Sequence, residues 1–127
     1  MSAATNALRQ AFLMAESEPA RAIERLEMFL KKARADGDVR GVASVARHAG
    51  SLAHHLDRFR EASAYYEEAL LGAPHDACLF LACGDALQRA GESERARVAL
   101  SRALELALLQ RDEDLADVTR RLLEKPV

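Results

Sequence analysis

Cysteine is scarce: 127 residues include two, Cys78 and Cys83. They stand five apart in what reads as one helix, which turns their side chains roughly 140° from each other at about 3.6 residues per turn. No bridge can join them without unwinding that helix. A disulfide framework is excluded, and two free thiols suit a reducing, cytoplasmic compartment. Cys83, next to Gly84, reads as a small buried hydrophobe rather than a reactive thiol.

Long apolar runs are lacking as well. No stretch approaches the roughly 18 residues of a membrane span, and Met1 to Asn6 has neither the basic start nor the apolar run of a secretory leader. Membrane insertion is therefore not expected. Charge of one sign is missing too: 18 Lys and Arg stand against 20 Asp and Glu, for a net charge of -2. The basic residues are scattered among the acidic ones, so there is no footprint for nucleic acid or an anionic membrane.

Sequence patterns that carry chemistry are also absent. There is no Gly-rich phosphate loop, no paired Cys motif, no His-Glu-x-x-His and no Gly-x-Ser-x-Gly elbow. Neither an enzyme nor a cofactor is expected. The closest approach to a metal site is His48, His54 and His55. His48 and His55 are seven apart, roughly 10 Å along a helix axis, too far to share one zinc with ligand bonds near about 2 Å. They read as residues of a solvated face.

What the chain does contain is a pattern repeated at a spacing of 34 residues. The offset pairs Ala43 with Ala77, Gly50 with Gly84, Ala62 with Ala96, Ala69 with Ala103, Leu70 with Leu104 and Ala73 with Ala107. Fixed-period self-similarity marks a stack of repeats. Within the first window an apolar stretch at helical spacing runs from Val42 to Leu56, breaks at Asp57 and Arg58, and resumes from Phe59 to Leu71 until Gly72 and Pro74 stop it. That is helix, tight turn, helix. Gly50 and Gly84 fall mid-helix, where each costs roughly 1 kcal/mol against Ala. Close approach of the paired helix, with Ala62 and Ala69 facing it, would explain both.

Residues 4–35 carry two further stripes, one through Leu8, Phe12 and Ala15 and one through Ala22, Ile23, Leu26, Phe29 and Leu30. They are separated by a turn from Glu16 to Pro19. The second of these helices is long, ending near Ala35 at Asp36, Gly37 and Asp38. After Gln110, the acidic turn Arg111 to Asp114 precedes a last helix striped by Leu115, Val118, Leu122 and Leu123. The count is about seven helices, in one domain by length.

Residues 43–76 and 77–110 resemble tetratricopeptide repeats. The first window meets the family pattern at Gly50, Phe59, Ala62, Tyr66, Ala69 and Pro74. The second keeps Phe80, Gly84, Ala96, Leu100 and Ala103 but has Leu108 for the expected Pro and Ser93 for an aromatic, so its second helix is expected to run on toward Gln110. Residues 4–35 read as a degenerate repeat, with Phe29 where a small residue belongs, and 112–125 as a capping helix. The resemblance implies an all-α, right-handed superhelical stack of antiparallel helix pairs.

It also implies a concave groove lined by the first helix of each pair. Carried over to this chain, the groove positions are Ser44, Arg47, Ser51, His54 and His55 in one repeat and Cys78, Leu81, Asp85, Gln88 and Arg89 in the next. The expected function is non-catalytic binding of a protein or peptide segment, with the solvated faces of amphipathic helices as the plainer reading of the same residues. Repeat domains that grip acidic chaperone tails use Lys, Asn and Arg at positions held here by Arg47, His48, Ser51 and Ala82, and the Asn pair is missing. The stretch HDACLFLACGDALQRAG is similar to small type III secretion chaperones, which would make this a holder of a secreted subunit. An architectural role, with the N-terminal helices pairing two copies as a homodimer, is the remaining alternative.

Overall fold

Ser, Asp and Pro open most of the helices. In the computed structural model, which describes residues 2–125, seven α-helices and no strand are present among the described residues. The first four are α1 (Ala3–Ala15), α2 (Pro19–Ala35), α3 (Val39–His55) and α4 (Phe59–Leu70). They are followed by α5 (Ala77–Arg89), α6 (Ser93–Leu109) and α7 (Glu113–Leu123). Side chains of Ser2, Asp38, Asp76 and Asp112 accept the backbone N–H three residues on, at 2.9–3.1 Å, capping α1, α3, α5 and α7. Pro19 starts α2, where its missing N–H costs nothing. The cap by Asp38 also explains why α3 begins at Val39, three residues before the apolar stretch that marks it in the sequence.

Four of the turns share one geometry. Gly37, Asp57, Gly91 and Arg111 all have φ between 56° and 81°. At Asp57 the N–H donates to the His54 carbonyl at 3.0 Å, and the next N–H, that of Arg58, reaches back to Ala53 at 2.8 Å. Gly91 and Glu92 repeat these bonds to Gln88 and Leu87 at 3.0 and 2.9 Å, 34 residues later. A left-handed residue after the helix satisfies its last carbonyls and reverses the chain at once. The link between α4 and α5, residues 71–76, is longer. Gly72 lets it lie on α3, since a Cβ there would stand 2.5 Å from that of Ala43.

Alanine makes the contacts. Ala22, Ala46, Ala49, Ala53, Ala62, Ala69, Ala96 and Ala103 are fully buried, together with Leu26, Leu30, Val45 and Leu100. The mid-helix glycines fit this close spacing, although what presses on them is mainly side chain. A Cβ on Gly50 would meet the Tyr66 ring at 2.8 Å, and one on Gly84 would meet Leu100 at 2.6 Å. Tyr66 and Leu100 are themselves 34 apart, so both pairs are one contact of the repeat.

Two of the terminal stripes are turned from their expected faces. In α1 the buried residues are Ala7 and Ala11, while Phe12 is 81% exposed. The all-alanine face brings α1 close to α2 and α3, and a Phe ring on that face would hold them apart. In α7 the buried centre is Ala116 and Thr119, whose hydroxyl donates to the Leu115 carbonyl at 2.7 Å; Val118 is open to solvent. Along the stack each helix packs on the next, and α1 also packs on α3 and α5 on α7. No comparably extensive packing joins α3 to α5. That opening positions the site.

Candidate functional site

The gap between α3 and α5 opens into a groove of about 580 Å³ closed on its far side by α7. From α3 come Ser51, His54 and His55; from α5 come Cys78, Leu81, Ala82 and Asp85. Val118 and Leu122 of α7 complete one wall, and buried Tyr66 forms part of the floor. Leu81, Ala82, Val118 and Leu122 make an apolar strip. Opposite it, His54 Nε2 lies 3.3 Å from one Asp85 oxygen, and Arg89 Nε lies 3.3 Å from the other.

Phe59, the first residue of α4, holds this polar ridge in place. Its ring meets that of His54 edge-on, 5.2 Å between centroids, and carries the Arg89 guanidinium at 5.5 Å. Arg89 gains a cation–π contact there while its charge faces Asp85. Burial pushes the Tyr66 hydroxyl up to about 12, and the Asp85 charge adds to the shift. It stays protonated at neutral pH. Burial likewise pushes Cys83 up to about 12, its thiol directed at the Ser63 carbonyl at 4.0 Å. Cys78 is the exposed thiol.

The expected groove residues divide by position. Ser51, His54, His55, Cys78, Leu81 and Asp85 come together in the one cavity. Ser44 and Arg47, farther toward the N-terminus of α3, stand outside it; Ser44 is exposed and Arg47 pairs with Asp76, the cap of α5. Gln88 is used in holding the fold, its amide donating to the Leu122 carbonyl at 2.7 Å. Together with Arg89 it lines a second cavity of about 490 Å³ between α5, α6 and the end of α7, which shares Asp85 with the groove.

Ser51, His54 and Asp85 share a cavity, but no hydrogen bond joins Ser51 to His54. Among the described residues no three His, Cys, Asp or Glu side chains converge as metal ligands, and no helix is long and apolar enough to cross a membrane.

Sequence reasoning missed the contribution of α7. Val118 and Leu122 were legible as apolar, but were assigned to the packed face of a cap. Arg97 and Lys125, which line the second cavity, had no signal beyond their charge. The chain matches no protein-family model, and none of the curated proteins matches it.

Proposed function

We propose that this chain is a tetratricopeptide-type repeat domain that binds a segment of a partner protein in the groove between α3, α5 and α7, without catalysis. The observation that carries this reading is the pairing of an apolar strip with a fixed polar ridge along one concave wall. Leu81, Ala82, Val118 and Leu122 offer burial, and His54, Asp85 and Arg89 offer register. Because Phe59 and the Gln88 bond hold the walls in place, the groove is preformed and binding orders little of the protein itself. A cytoplasmic location belongs to the same proposal, supported by the free thiols of Cys78 and Cys83.

The test is capture from the native lysate by wild type beside a Leu81→Ala, Arg89→Glu double variant of equal melting temperature, with mass spectrometry of what is held. Loss of one captured protein in the variant is expected. A secreted or membrane-inserting subunit would select the narrower reading, a secretion-type chaperone. Equal capture by both would move the contact off the groove.

A second reading has its own observation. Phe12 and Leu13 are 81% and 74% exposed on α1, and Phe12 also lines an apolar cavity of about 420 Å³ shared with Leu8 and Leu52. Two copies pairing through α1 would cover this surface. Sedimentation of wild type and of Phe12→Asp decides it: a dimer that becomes a monomer supports pairing, and a monomer in both removes it.

A further inference from the structure

The cavity between α5, α6 and the end of α7 collects positive charge beyond the Arg89 that the groove reading uses. Arg89, Arg97 and Lys125 reach it from three separate elements, against the single carboxylate of Asp85. This occurs in a chain whose net charge is -2. Asp85 is already engaged by His54 and by Arg89, each at 3.3 Å, on the groove side. Arg97 and Lys125 make no ion pair among the described residues. Arg97 and Lys125 are exposed, so both charges are open to an anion that enters the cavity. Ser93 lines the same wall at the start of α6, a helix whose N-cap, Glu92, makes no side-chain capping bond.

We propose that this cavity is an anion subsite that takes the carboxylate of an acidic residue in the partner segment, and the proposal rests on the groove reading above. Continuity and charge complementarity identify the occupant. Asp85 lines both cavities, and the apolar strip ending at Leu122 leads directly to Leu123 and Lys125. A segment that lays apolar side chains on Leu81, Val118 and Leu122 thus reaches Arg97 and Lys125 next. Leu123 lines the cavity as well, giving the methylene stem of a Glu an apolar surface while its carboxylate meets the cations. The ligand class is a peptide with an apolar anchor followed or preceded, at a fixed offset, by Glu or Asp.

The experiment is selection from a displayed library of random peptides against the full chain and against an Arg97→Glu, Lys125→Glu variant. The affinity of the best peptide is then measured at low and high salt. Both substituted side chains are exposed, so the variant should melt as wild type does, and Arg97→Gln serves as a milder second variant. Wild type should enrich apolar peptides with Asp or Glu at one offset. The double variant should bind the best of them roughly tenfold more weakly and should select without acidic preference; added salt should narrow the difference. Apolar peptides with no acidic preference in wild type overturn the subsite and leave the groove reading standing. An acidic preference that persists in both variants places the anion elsewhere and overturns it too. No enrichment by either protein defeats the groove reading and this inference together.

Discussion

Gly84 and Leu100 compete for one space: a Cβ on Gly84 would stand 2.6 Å from Leu100 Cγ and 3.3 Å from its backbone nitrogen, and Leu100 is fully buried. Alanine at position 84 would gain about 1 kcal/mol of helix propensity but would press on a side chain with nowhere to go, which typically costs about 1–3 kcal/mol. Gly84→Ala is therefore expected to destabilise the native chain by roughly 1 kcal/mol in urea unfolding. In a Leu100→Ala background the side-chain obstacle is gone and only the backbone nitrogen at 3.3 Å remains, so the same substitution should stabilise by up to about 1 kcal/mol. The reversal of sign is the measurement. A stabilising effect in both backgrounds would show that the two residues do not meet.

The left-handed turns give a second test. Gly37 and Gly91 take positive φ without strain, whereas Arg111 adopts φ 56° with a side chain attached. Arg111 is exposed and makes no ion pair among the described residues. Arg111→Gly should raise stability by about 0.5–1 kcal/mol, the relief of left-handed strain less the extra freedom of an unfolded glycine. A loss of stability on urea unfolding would show that the Arg side chain contributes something this turn does not reveal.

Acid should weaken the fold in two stages. His48 is exposed on one side, but the apolar cavity it lines beside α1 partly desolvates it, and that, with the charge of Arg47 second, holds it below its ordinary value. A depressed folded-state value means that its contribution is present above the unfolded pKa, about 6.5, and is lost as pH falls through the lower native value. Glu27 follows at lower pH. Burial raises its pKa, but bonds from Tyr65 at 2.6 Å and Arg34 at 2.7 Å outweigh that and leave it depressed. Unfolding midpoints at pH 7.5, 5 and 4 for wild type and His48→Gln will separate the stages. Wild type should lose more than the variant between pH 7.5 and 5, and equal losses would remove His48 from the account.

How much of this was legible in the sequence depended on what each residue had to do locally. Gly50, Gly84, Asp57 and the 34-residue offset announced helix hairpins because steric demands at those positions admit few residues. The face of α1 was not legible, since Arg9 is the one charged side chain between Ala3 and Ala15 and apolar residues surround the helix. Which face packs was decided by how closely α2 and α3 could approach, and alanine won over Phe12. The groove was legible on α5, where Leu81 and Asp85 lie one turn apart. It was hidden on α7, because Val118 and Leu122 look the same whether they seal an end or line a wall. Arg97 and Lys125 meet across 28 residues and two elements, a distance over which charge pattern alone carries no information.

Apart from α1 on α3 and α5 on α7, every extensive packing in the stack joins a helix to the next along the chain. A polymer wired in this way has no ring to close. It can gain or lose a helix pair at an end while the remaining interfaces keep their partners, and its ends can fray without the middle yielding. The groove lies between α3 and α5, a next-but-one pair without such packing, so what spans it is side-chain pairing, His54 with Asp85, rather than helix-on-helix contact.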